Sequence, residues 1–182
     1  MRVSLLPISI SRLSYLTATS SSGQFEGALR NLLHAIGFNA SRPDDVYATG
    51  PDVLALTLDE PALIIEAKSR RLAKNKLTKT QHGQVLSHEN WYALHYGNGQ
   101  PRQRVVVYPT TNSEDNAGTN GTLVLKFNVI DQIISDTRSI IKQVADVSVS
   151  ERIKLAARLL DSLNLTAAGI INRLSKFSDA GG

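Results

Sequence analysis

Apolar positions along the chain change period several times, and each change marks an element. Between residues 24 and 36, Phe25, Leu29, Leu32, Leu33 and Ile36 recur at helical steps and form one stripe. Ser20-Ser21-Ser22-Gly23 before them reads as a linker or helix-start signal, and Gly37 as a stop. Residues 38–49 lose periodicity and read as a loop or a short edge strand. Residues 53–58 and 62–68 are apolar runs separated by Asp59-Glu60-Pro61, which predicts a hairpin. Residues 69–80 are polar and strongly basic. A helix is predicted over 81–96, stopped by Gly97-Asn98-Gly99. Residues 104–108 read as a third buried strand and 122–127 as a fourth. The Thr-, Asn-, Asp- and Gly-rich residues 110–121 between them read as a mobile loop.

The remainder is helical in pattern. Val129, Ile130, Ile133, Ile134, Ile140, Ile141 and Val144 make one amphipathic face. Ser148 and Glu151 have the spacing of a capping box, opening a helix with Ile153, Ala156, Leu159, Leu160 and Leu163. Thr166 can cap a last helix through Ile170, Ile171, Leu174 and Phe177. The order helix, hairpin, helix, strand, strand, helices predicts an α/β fold with a mixed sheet flanked by helices. Residues 1–22 are expected to be a leader or linker, 23–127 the core, and 128–182 a C-terminal helical extension.

Composition narrows the partners. The chain has 182 residues and a formal net charge of +4, and a pI near 9.5, which mildly favours a polyanion. It has no cysteine, which excludes disulfides and thiolate metal sites and fits a reducing, cytoplasmic setting. No apolar run is long enough to cross a bilayer. The patch around Val3 to Ile10 is interrupted by Pro7, Ser9, Ser11 and Arg12, which argues against a signal peptide.

The chemistry concentrates in the predicted hairpin. Glu66 and Lys68 are two apart, so a strand presents both on one face. Asp52 lies at the mouth of the preceding strand, within reach of Glu66. A charge ending so apolar a strand needs a partner. Two carboxylates can bind Mg²⁺, with Mn²⁺ as a substitute, and the Ala67 carbonyl can add an oxygen. Lys68 could orient a water and offset charge on a phosphate. The alternative is a Glu66–Lys68 ion pair at a strand end with Asp52 as a turn residue.

Glu26 falls on the buried stripe of its helix, where an acid must be paired, protonated or near a metal. It could equally be a first-turn acid favoured by the helix dipole. Gln84 shares a helical face with Gln81, His88, Trp91 and His95, a stripe that could line a groove. Trp91 could stack on a base or belong to the core. The histidines lack zinc spacing and read as structural or exposed. The run from Lys68 through Arg70, Arg71, Lys74, Lys76 and Lys79 is either a solvated surface or a phosphate track. Gly118-Thr119-Asn120-Gly121-Thr122 lacks the lysine and spacing of a P-loop, which argues against a nucleotide hydrolase.

These residues resemble the PD-(D/E)xK nuclease superfamily, the restriction-endonuclease-like fold. Pro51-Asp52 matches its first half-motif and Glu66-Ala67-Lys68 its second. Glu26 is similar to the acid often found on the first helix, and Gln84 to the glutamine often found after the lysine strand. The likeness covers roughly residues 24–108; the helical end beyond Asn128 has no counterpart in it. It implies a Mg²⁺-dependent DNA endonuclease of a restriction, repair or defence system, with RNA as another possible substrate. Asp52 and Glu66 would then be metal ligands, Lys68 would assist the water, Glu26 would complete the acidic site and Gln84 would orient the helix. It also implies fusion to, or association with, a larger protein such as a helicase, and the chain reads as a possible fragment. Cutting both strands of a duplex favours a homodimer, for which the amphipathic tail is available. The competing expectation is a catalytically silent nucleic-acid-binding or assembly module on the same fold.

Overall fold

The computed structural model describes residues 13–178 except 59, 75 and 116. The apolar patch around Val3 to Ile10 lies outside them. A short helix α1 (Ser14–Thr17) leads into α2 (Ser22–Ala35). Ser21 opens α2 with a reciprocal capping box to Gln24, and Gly37 follows it with φ 106°. Next come β1 (Asn39–Ser41), α3 (Pro43–Tyr47), β2 (Val53–Leu56) and β3 (Ala62–Ala67). Helix α4 (Lys79–Tyr96) joins β3 to β4 (Arg102–Tyr108), and β5 (Thr122–Lys126) precedes α5 (Phe127–Ala145), α6 (Val149–Ser162), α7 (Ala167–Asn172) and β6 (Ser175–Lys176).

The strands form one six-stranded mixed sheet in the order β1-β2-β3-β4-β5-β6. β1, β2 and β3 are an antiparallel meander, β3, β4 and β5 run parallel, and β6 returns antiparallel. The predicted hairpin is β2–β3, with Val53 opposite Ile65. α4 is the crossover that a parallel β3–β4 pair requires. Both edge strands are short, which limits open pairing edges.

Alternation along the strands sorts the layers. Val53, Ala55, Leu63, Ile65, Ala67, Val105, Val107 and Leu125 point into the larger core, with Phe25, Leu29, Leu32 and Leu33 of α2 and Ile130, Ile133 and Ile134 of α5. Phe25 meets Phe127 edge-on at a centroid distance of 6.0 Å. Leu13 and Leu16 are fully buried in this core, and α5 supplies much of it. Leu13 and Leu16 of the expected leader, and Ile130, Ile133 and Ile134 of the expected extension, therefore belong to the core that packs on the sheet. On the opposite face Leu54, Ile64, Val106, Tyr108 and Val124 lie under Val85 and Tyr92 of α4.

Some expectations need correction. The aperiodic residues 38–49 contain a helix as well as an edge strand: Pro43 starts α3, with Asp44 and Asp45 in its first turn. The last helix stops at Asn172 instead of reaching Phe177, because the open edge of β5 takes Ser175 and Lys176 as a strand. Thr166 does cap it, accepting from the Gly169 N–H. Ser148 precedes α6, but its hydroxyl bonds the Glu151 carboxylate at 2.6 Å and accepts from no backbone N–H. Ile153 is 60% exposed, so α6 packs through Leu155, Ala156, Leu159 and Leu160. Residues 110–121 form a loop pinned by the pairing of Leu77 with Ser113.

The approach to the candidate site depends on Gly50. Its φ is +103°, and an added Cβ would stand 2.9 Å from Trp91 Cε2 and 3.1 Å from Pro43 Cβ. Gly50→Ala is expected to cost about 2 kcal/mol in urea unfolding, from the backbone conformation and the clash together. A variant as stable as the parent would show that Trp91 does not clamp this turn.

Candidate metal centre

The hairpin register sets the site. Val53 faces Ile65, so one step further places Asp52 opposite Glu66. Strand alternation puts Asp52, Glu66 and Lys68 on the α4 side of the sheet, in line with Leu54 and Ile64. Asp52 Oδ2 accepts a 2.7 Å hydrogen bond from the Ala67 N–H, which fixes the carboxylate across the strand end.

Glu66 is almost fully buried and both its oxygens are used. Oε1 pairs with Lys68 Nζ. Oε2 meets His88 Nε2 at 2.5 Å. Lys68 Nζ also donates to Gln84 Oε1 at 3.0 Å. The fit between strand and helix is metrical. Residues two apart on a strand are about 6.6 Å apart, and residues four apart on a helix rise about 6 Å. Glu66 on β3 and Lys68 just past its end are thus matched by His88 and Gln84 on α4. A capping box at Thr78 and Gln81 starts this helix, and the ion pair of Glu89 with Arg102 ties it to β4.

The electrostatics follow from crowding. Burial and the neighbouring Glu66 push the Asp52 carboxyl up to about 7, against the hydrogen bond from Ala67 that lowers it. Burial also works to raise Glu66, but the hydrogen bond from His88 and the charge of Lys68 outweigh it and hold Glu66 low. Asp52, Glu66 and His88 each offer a donor atom, and the three lie within 4.8 Å of one another. A buried and a half-buried carboxylate with an imidazole at that separation fit a divalent cation, which would relieve the repulsion that helps raise Asp52.

Glu26 reaches the same end of the sheet from α2. It is buried and paired with Arg42 Nη2 at 2.5 Å. Arg42 also holds Asp44 at 3.3 Å and Asp45 at 2.7 Å. Burial raises the Glu26 carboxyl, more than the Arg42 guanidinium lowers it. Glu26, Asp44 and Asp52 also come within 4.8 Å of one another, so Asp52 joins the arginine-held acids to the Glu66 group. Arg42→Ala would leave Glu26 buried without its cation. It is expected to destabilise the fold by about 3 kcal/mol in chemical denaturation, with part recovered by adding Glu26→Gln. An unchanged midpoint would show that the pair contributes nothing.

The structure thus brings together Asp52, Glu66, Lys68 and Gln84, with Glu26 one contact away and the Ala67 N–H bonded to Asp52. The basic run divides. Arg71, Lys74, Lys76 and Lys79, which follow Lys68 in the chain, are exposed. Arg70 turns inward: it bonds the Leu16 carbonyl at 2.5 Å and Asp131 at 2.5 Å, and lies 4.6 Å from the Phe127 ring centroid. It tethers α1 and α5, leaving its neighbours as the exposed cations. Trp91 is half-buried and stacks on His95 at 3.9 Å, with Tyr47 at 5.9 Å.

Two residues of the site were missed in the sequence. His88, which by sequence reads as structural or exposed, contacts Glu66, and its signal is the four-residue step from Gln84. Arg42 carried no signal, since its pairing with Glu26 spans sixteen positions. Among the described residues no helix is long and apolar enough to cross a membrane. Compared with protein-family models, with curated proteins and with solved structures, the chain gives no match.

Proposed function

We propose that this chain is a divalent-cation-dependent nuclease of restriction-endonuclease-like fold that hydrolyses phosphodiester bonds in DNA. The observation that carries this reading is the convergence of Asp52, Glu66 and Lys68 at one strand end, with the Asp52 carboxyl raised by burial and by Glu66 beside it. The order helix, hairpin, helix, strand around those residues supports the same reading.

Asp52 and Glu66 would hold Mg²⁺ or Mn²⁺. Such an ion, when bound, supplies Lewis-acid polarisation of a phosphate oxygen and acidifies water. Lys68 would orient the attacking water and offset negative charge as it develops on the phosphate. Gln84 would hold the Lys68 ammonium from the helix side, limiting its rotamers. Arg71, Lys74, Lys76 and Lys79 would contact the substrate backbone, positioning it without reading sequence.

The test is incubation of purified protein with supercoiled plasmid and with single-stranded DNA, in Mg²⁺, Mn²⁺ or EDTA. Cleavage is expected with either ion, none in EDTA, and none from Glu66→Gln. A protein that binds DNA in a salt-sensitive way, indifferent to the ion, and cuts no DNA or RNA would overturn the assignment. That outcome would favour a silent binding module on the same fold.

A further inference from the structure

His88 meets the buried Glu66 carboxylate from the facing helix. Its Nε2 faces Glu66 Oε2 at 2.5 Å, while Lys68 takes the other oxygen. The same nitrogen belongs to the donor group formed with Asp52 and Glu66. It is carried on α4, one turn beyond the Gln84 that anchors Lys68, so its placement is set by a helix rather than a loop.

We propose that His88 is a metal ligand, and that the Asp52–Glu66–His88 set selects first-row transition ions, probed here with Mn²⁺, over Mg²⁺. The proposal rests on the reading that this site takes a divalent cation, and adds which class of cation and through which nitrogen. The argument is one of donor chemistry. Mg²⁺ is hard, favours oxygen ligands and gives up its waters reluctantly. Imidazole nitrogen suits transition ions, whose affinity for mixed nitrogen and oxygen sites grows along the first row from Mn²⁺. Six-coordinate donors around an ion with bonds of about 2.1 Å sit roughly 3 to 4.2 Å apart, within the separation found here. To bind, the imidazole carries its proton on Nδ1 and exchanges the Glu66 hydrogen bond for a bond to the ion. The carboxylate stays in place, because Lys68 still holds Oε1.

The experiment compares the full chain with His88→Asn and with Glu66→Gln. Mn²⁺ and Mg²⁺ affinities are measured by titration calorimetry, and Mn²⁺-loaded samples by electron spin-echo spectroscopy, which detects nitrogen bonded to the ion. The parent is expected to bind Mn²⁺ at least tenfold more tightly than Mg²⁺ and to give a nitrogen coupling. In His88→Asn the coupling should vanish and the preference fall by about tenfold, with circular dichroism unchanged. Mn²⁺ bound in a Glu66-dependent way, without nitrogen coupling and with the preference unaltered in His88→Asn, would overturn the role of His88 while leaving the nuclease reading intact. Failure of the parent to bind either ion would remove both.

Discussion

Lys68→Ala is expected to lower cleavage of plasmid DNA by roughly 10²–10³-fold while leaving Mn²⁺ affinity within a few-fold of the parent. The reason lies in what the ammonium touches. Lys68 Nζ sits between Glu66 Oε1 and Gln84 Oε1, so it is aimed by a carboxylate below and an amide above. Its removal takes away the group that would meet charge developing on the phosphate, while Asp52, Glu66 and His88 remain to hold an ion. The stability cost should be about 3 kcal/mol, because Glu66 is buried, and the chain should stay folded because His88 still satisfies the other Glu66 oxygen. Gln84→Ala should share the phenotype in weaker form, by loosening the ammonium without deleting it. Cleavage that survives Lys68→Ala at parental rate would refute the assignment of this lysine. Loss of Mn²⁺ binding together with cleavage would instead make Lys68 a support for Glu66.

The second large effect concerns pH. Asp52 titrates near 7 in the folded chain against 3.8 for an ordinary aspartate. The folded state therefore binds this proton more tightly than the unfolded state does. The stability it contributes is full below about pH 4 and is lost as pH rises through about 7. Glu66, held low, acts with the opposite sign and is stabilising above its ordinary range. Asp52→Asn separates the two, since an amide oxygen can still accept from the Ala67 N–H. Relative to the parent, and without divalent ions, Asp52→Asn should gain about 2 kcal/mol in urea unfolding between about pH 5 and pH 8. Millimolar Mn²⁺ at the higher pH should stabilise the parent and leave the variant unmoved. A gap between parent and variant that is the same at both pH values would show that neither burial nor Glu66 raises the Asp52 carboxyl.

Much of this site was legible in the chain. Alternation and the turn at Asp59-Glu60-Pro61 were enough to align Asp52 with Glu66, since a hairpin register follows from local signals. The stripe of α2 placed Glu26 inside, because an acid at a core position is itself a signal. Other parts were hidden for physical reasons. α3 is short and carries Val46 and Tyr47 outward, so it left no apolar period to read. β6 is two residues long and exists only because β5 offers an edge. The roles of His88 and Arg42 depend on how α4 and α3 lie against the strand ends, and no spacing within one element encodes that. Arg70 belonged by sequence to a basic run, but the carbonyls of Leu16 and Phe127 that claim it come from distant segments.

The matched rungs of β3 and α4 bear on how this site can change over time. Point substitutions can alter Gln84 or His88 separately. A single inserted residue between Thr78 and Gln84 would rotate everything after it by about 100°, detaching both partners from Lys68 and Glu66 in one event. Drift in this stretch should therefore favour replacement over insertion or deletion.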